Sequence, residues 1–279
     1  MTKINVGLSP RDRYEDELHH RIRRPVRDAY TIAVLGLKGG VGKTAITVAL
    51  GSTLSSVRGD RILAVDADPD GGNLAARSRR ESAASIAELL VDPNLQRYND
   101  IRAYTNMNSA NLEVLASADY SHARQAFSDR EWHRAIDTVS RYYGLILADC
   151  GTGLLHPATR GVLSTASALV IVSSAAADGA QQAVTAMEWL RHNGYSGLLS
   201  RACIVLNHVA ARAPRMDVKL AAQRFQQLVP PGRVIVVPWD NHVADSVEID
   251  ISLTSMAYQR PILELASVLS DDFGGSARS

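Results

Sequence analysis

The chain has 279 residues, 46 % of them apolar, with 30 basic against 29 acidic side chains and a formal net charge of +1. That length suffices for one large α/β domain or two small ones, and the apolar fraction excludes disorder as the default. Near-neutrality excludes a global field that would drive binding to nucleic acid or anionic lipid, leaving only local patches.

Residues 1–28 read as a charged arm, a solvated or helical flank that sets Glu15, Asp16 and Glu17 against Arg21, Arg23, Arg24 and Arg27. The start is charged rather than signal-like, and no apolar run reaches the ~18 residues of a membrane span, so the expectation is a cytoplasmic protein. Residues 29–270 form the folded domain. Short apolar runs recur through it at Tyr30–Leu35, Ile62–Val65, Leu112–Leu115, Leu145–Ala148, Leu169–Val172, Cys203–Leu206 and Val234–Val237. Most are apolar on both faces, as strands buried between two helical layers must be. Helical patterns separate them. One carries the stripe Ile46, Leu50, Leu54 and Val57; another carries Trp132, Ile136, Val139 and Tyr143 behind a capping box of Ser128 and Glu131. A third opens at Asp178 and closes at Arg191, His192 and Gly194, and Pro230-Pro231-Gly232 turns the chain before the last strand. The alternation predicts an α/β fold, a doubly wound and mostly parallel sheet flanked by helices, with ligands at the carboxyl ends of the strands. Cys150 and Cys203 read as buried free thiols, and residues 271–279 as a flexible tail.

The first strand runs into Gly36-Leu37-Lys38-Gly39-Gly40-Val41-Gly42-Lys43-Thr44, and a helix follows at once. Glycines let successive N–H groups turn toward phosphate oxygens, and the helix N-terminus adds its positive dipole end. Lys43 would reach the β- and γ-phosphates and Thr44 would offer its hydroxyl to Mg²⁺. Leu37 stands where the strict phosphate-loop pattern has its first Gly. Lys38 is a second lysine inside the loop, with no evident work within a monomer.

With that second lysine the chain resembles the MinD/ParA family of deviant Walker A ATPases, from about Tyr30 to Leu269. The resemblance implies ATP and Mg²⁺ as cofactors, slow partner-stimulated hydrolysis and an ATP-dependent homodimer in which Lys38 reaches the nucleotide of the other subunit. Asp66-Ala67-Asp68-Pro69-Asp70-Gly71-Gly72-Asn73 is similar to the family's first switch with one Gly more than usual. By that likeness Asp68 orients the attacking water, Asp66 sits near the metal and Asn73 follows the γ-phosphate. Leu145-Ile146-Leu147-Ala148-Asp149 resembles the Walker B strand, which makes Asp149 a holder of the Mg²⁺ shell. Prolines that usually follow are replaced by Cys150-Gly151-Thr152-Gly153. The likeness puts adenine against Asn207 and against Pro238, Trp239 and Asp240. Ala45 stands where the family commonly has a Thr that touches the α-phosphate.

Longer strings, among them Tyr30–Lys38, Ile62–Pro69, Leu147–Gly151, Arg160–Thr165 and Asp178–Ala183, resemble the actinobacterial EspI-like ATPases encoded with type VII (ESX) secretion systems. That implies a protein partner in a secretion machine. Two alternatives stand beside this: an interaction module with negligible turnover, and a ParA-like DNA-associated partitioning ATPase. Arg212, Arg215, Lys219 and Arg224, or Arg77, Arg79 and Arg80, would supply a DNA-binding strip, but each reads first as a solvated face, and the expectation is against DNA binding.

Overall fold

The computed structural model describes residues 9–79, 81–117, 127–212 and 216–274. The elements are, in chain order, α1 (Pro10–Ile22), β1 (Tyr30–Leu35), α2 (Lys43–Arg58), β2 (Ile62–Ala67), α3 (Leu74–Arg77), α4 (Ile86–Val91), α5 (Tyr98–Arg102), β3 (Asn106–Met107) and β4 (Glu113–Leu115). After them come α6 (Asp129–Val139), β5 (Leu145–Cys150), α7 (Pro157–Thr165), β6 (Ala168–Ser174), α8 (Ala177–His192) and α9 (Ser196–Leu199). The last are β7 (Cys203–Asn207), α10 (Val218–Gln226), β8 (Val234–Val237), α11 (Asn241–Asp245), a 3-10 turn at Ile251–Leu253, and α12 (Met256–Ser270). Among the described residues no helix is long and apolar enough to cross a membrane.

The strands form one sheet in the order β3-β4-β2-β5-β1-β6-β7-β8. Every pairing is parallel except β3 with β4. Side chains alternate across it. Ile32, Val34 and Ala64 pack with α2 and α12, whereas Ala33, Leu35, Leu63 and Val65 pack with α6, α7 and α8. This two-sided burial is why the inner strands read as continuous apolar runs. Ser128 and Glu131 form the expected capping box at the start of α6. The antiparallel edge strand β3 was not anticipated: two residues, one of them Asn, leave no periodicity to detect.

Both ends of the folded domain are packed further than the sequence reading has them, the first as a helix that reading allowed. The charged arm contains α1, whose Leu18 and Ile22 are buried, with α12 and α2 as its neighbours. Arg21 and Arg24 both bind the carboxylate of Asp271, and Arg233 binds Asp272 at 2.8 Å. Phe273 is buried edge-on against Tyr30, ring centroids 4.9 Å apart. The tail expected from Asp271 is therefore packed as far as Phe273, and residues 275–279 lie outside those described. The physical reason is the apolar pair Leu18 and Ile22, one helical turn apart, together with Phe273, which a charge-based reading overlooks.

Candidate nucleotide-binding site

The central neighbours β1, β2 and β5 carry the candidate residues at their carboxyl ends. Gly42 caps α2 in the left-handed region, φ +90°, and a side chain there would overlap the amide of Asn207. No side chain caps this helix start, so its first N–H groups remain available to an anion. Thr44 donates its hydroxyl to Asp149 Oδ2 at 2.7 Å, and the buried Thr47 donates to Oδ1 at 3.1 Å. Thr47 was missed in the sequence; its signal is a second hydroxyl three residues after Thr44, on the same helix face.

Register places Asp66 directly beside Asp149 on adjacent strands. Both are buried, and burial pushes Asp149 up to about 6 against the pull of Thr44 and Lys43. Burial, reinforced by Asp149, pushes Asp66 up to about 8. Asp66 Oδ1 accepts from the Asp68 amide at 3.2 Å and Oδ2 from the Leu74 amide at 3.1 Å. Position 72 takes Gly for a steric reason: a Cβ there would overlap the Asp66 carboxylate. Asp68 is half-buried, and its Oδ1 accepts from the Asp70 amide at 3.0 Å. Gly151 backs onto it, since a Cβ there would come within 2.6 Å of Asp68 Oδ1. The glycine that follows Cys150 thus lets the loop after β5 approach the loop after β2. Asn73 is exposed at the start of α3 and makes no side-chain cap.

Other expected contacts fall differently. Lys38 pairs with Asp178 of its own chain, so the loop lysine does have work within the monomer. Asp178 is accordingly not the cap of α8: Ala176 holds that position without a side-chain hydrogen bond, and Asp178 lies in the first turn. Asn207 is buried and donates its amide to the Val41 carbonyl at 2.9 Å, which braces the phosphate loop from behind. Asp240 caps α11 through the His242 and Val243 amides and accepts from Ser255 N at 2.8 Å. Despite its burial, these amides hold its carboxyl below the ordinary range. Trp239 is half-buried, and Ala45 is buried without a hydroxyl to offer. A cleft of about 640 Å³ opens beside Lys38 and Asp178, bordered by His208, Val209 and Arg212; neither Lys43 nor Asp149 lines it. Of the basic strips, Arg77 is turned inward to backbone carbonyls and Arg79 pairs with Glu81 at 3.0 Å. Arg80 and Arg215 lie outside the described residues.

The donor set suits Mg²⁺ with phosphate. Among the described residues no three His, Cys, Asp or Glu are grouped to hold a metal unaided. Mg²⁺ characteristically takes one or two carboxylates and fills its shell with water and phosphate oxygen, which matches Asp149, Asp66 and the Thr44 hydroxyl. Two buried carboxylates that resist ionising side by side are what a divalent cation would relieve.

A parallel sheet whose first strand runs through a glycine-rich loop into an uncapped helix, with hydroxyl and carboxylate aligned beneath it, defines a phosphate-loop nucleotide-binding domain. The profile of the CobQ/CobB/MinD/ParA nucleotide-binding domain matches residues 32–253. This chain belongs to that family. It is 55 % identical over 278 residues to the ESX-1 secretion-associated protein EspI of Mycobacterium tuberculosis, covering 100 % of this chain and 42 % of that protein. The match thus spans less than half of the relative. Among solved structures it is similar to the cell division ATPase MinD of Pyrococcus furiosus, with TM-score 0.66 and 22 % identity over 87 % of this chain and 99 % of that one. It is similar also to MinD from Pyrococcus horikoshii in complex with Mg-ADP, with TM-score 0.64 and 21 % identity over 85 % and 94 %. At these identities the two structures speak for the fold.

Proposed function

We propose that the chain binds ATP·Mg²⁺ and hydrolyses it as a dimerisation switch that serves a type VII secretion machine. The observation that carries this reading is the Thr44–Asp149 hydrogen bond of 2.7 Å beneath the uncapped start of α2. It aligns a hydroxyl and a carboxylate where a phosphate-bound Mg²⁺ would need oxygen ligands. When bound, the ion would neutralise charge on the β- and γ-phosphates. Lys43 would bind those phosphates, and Asp149 and Asp66 would hold the ion through its water shell. Asp68, half-buried at the opening of the first switch, would orient water for in-line attack. Adenine would lie against Pro238 and Trp239. Lys38 would leave Asp178 to meet the nucleotide of a second copy. The secretion role follows the name of the relative, and the partner is a protein of that machine.

Ala45 supports a second reading, a nucleotide-binding interaction module with negligible turnover, because one expected phosphate contact is missing. One measurement tests the nucleotide site that both readings share, and a second separates them. Titration with a fluorescent ATP analogue should show Lys43→Ala losing at least about tenfold in affinity, as removal of a charge-assisted contact implies. Affinity unchanged in Lys43→Ala would sink the nucleotide site itself. Phosphate release above background by wild type, lost in Asp68→Ala, supports the switch; its absence with and without candidate partners supports the module.

A further inference from the structure

We propose that Arg77 is a positioning residue that ties the first switch to the base side of the same site, an inference that rests on the nucleotide reading above. Helix α3 is only four residues long. At its first residue, the Leu74 amide donates to Asp66 Oδ2 at 3.1 Å. At its last, the Arg77 guanidinium donates to the Val243 carbonyl at 2.7 Å and to the Ser246 carbonyl. The backbone joins in, with Ile249 N donating to the Arg77 carbonyl at 2.8 Å.

Val243 and Ser246 lie at the end of α11, where carbonyls have no partner inside the helix. The start of α11 is pinned by Asp240, which directly follows Pro238 and Trp239. Further bonds make the segment a single braced loop: Ser255 N reaches Asp240 Oδ2 at 2.8 Å and Asp250 N reaches His242 Nε2 at 3.0 Å. Arg77 is therefore a side-chain strut between this loop and α3. A helix of four residues spans about 6 Å and has no slack to absorb a shift at one end. Displacement of the base-side loop passes to the Leu74 amide, and so to the carboxylate of Asp66. A planar fork can hold two carbonyls at once, which a lysine ammonium on a flexible stem does not reproduce. In this arrangement the triphosphate alone does not set the first switch: a seated base contributes through Arg77.

Amide hydrogen exchange on the full chain tests this, with ATP·Mg²⁺ compared with tripolyphosphate·Mg²⁺. In wild type, ATP should protect residues 36–44, 66–77 and 240–250, whereas tripolyphosphate should protect 36–44 and leave 240–250 unchanged. In Arg77→Met, ATP should still protect 240–250, but protection of 66–77 should fall to the tripolyphosphate level. Turnover should drop about tenfold with KM within about threefold, the pattern of a lost positioning contact. Wild-type protection of 66–77 by ATP in Arg77→Met overturns the coupling while leaving the nucleotide site standing. Should that variant lose its cooperative melt, Arg77→Lys carries the same comparison, with full protection of 66–77 again overturning the proposal. If neither ligand protects 36–44 in wild type, the nucleotide reading fails and the coupling fails with it.

Discussion

Lys38 and Asp178 form an ion pair that joins the phosphate loop to the first turn of α8. Both side chains are about half exposed, and Lys38 holds the Asp178 carboxyl below its ordinary range. Exposed pairs of this kind are weak and screened by salt, so a nearby triphosphate can displace the carboxylate. Lys38→Ala should keep most ATP affinity but lose ATP-dependent dimerisation and hydrolysis together. Asp178→Asn should act in the opposite sense, lowering the ATP concentration at which half the protein is dimeric. Light scattering with a slowly hydrolysed ATP analogue reads both. A Lys38→Ala protein that dimerises and turns over like wild type would falsify the trans-acting lysine.

The carboxylates should separate into two kinetic classes. Asp68→Ala should bind ATP·Mg²⁺ within about threefold of wild type yet hydrolyse it at least about a hundredfold more slowly, as loss of an interaction made only in the transition state requires. Asp149→Ala should weaken the Mg²⁺-dependent part of binding itself. Nucleotide titrations with and without Mg²⁺, followed by single-turnover hydrolysis, distinguish them; identical profiles would reject the division of roles.

Stability of the nucleotide-free protein should fall with rising pH at this site. Burial raises the folded-state value of Asp66 to about 8 from an ordinary 3.8, so the folded state binds the additional proton. Its contribution is fully present below the unfolded value and is lost as pH rises toward 8. The slope is at most about 1.4 kcal/mol per pH unit for one proton. Asp66→Asn should flatten the dependence of Tm on pH between 5 and 8, whatever its effect on absolute Tm. Melting curves without nucleotide or Mg²⁺ across that range provide the check, and parallel slopes would contradict it.

Helix α1 should behave as part of the core. Ile22 is fully buried, and Ile22→Ala should cost about 2–5 kcal/mol, as truncation of a core aliphatic does. In a domain of this size that lowers Tm by several degrees. A loss under about 0.5 kcal/mol, the range of ordinary surface substitutions, would show that the helix contributes nothing to folding.

Much of the architecture was legible because it is written locally. Strands buried on both faces appear as unbroken apolar runs, and the phosphate loop is contiguous from Gly36 to Thr44. What escaped depends on chain segments that meet only after folding. Lys38 and Asp178 are 140 residues apart, and Asn207 is 166 residues from the Val41 carbonyl that it holds. Asn207 reads in sequence as a strand-end residue placed against adenine; in the structure it ends β7, and its amide holds the Val41 carbonyl of the loop. Arg77 looked like surface charge because nothing near it in sequence announces the carbonyls of Val243 and Ser246. The arm reads as a solvated or helical flank, and α1 is helical; its buried face escapes the reading because two aliphatics are a faint signal among many charges.

Gly72 and Gly151 bear on how mutational scans of this protein should be interpreted. Alanine is ordinarily a subtraction, removing a side chain and its contacts. At these two positions it is an addition, a methyl group that would overlap the Asp66 carboxylate at one and crowd Asp68 Oδ1 to 2.6 Å at the other. Loss of activity in Gly72→Ala or Gly151→Ala would therefore report a displaced acid, and would look like a catalytic defect although neither glycine has any chemistry of its own. The two residues with the least to contribute are the ones that leave the aspartates room to stand.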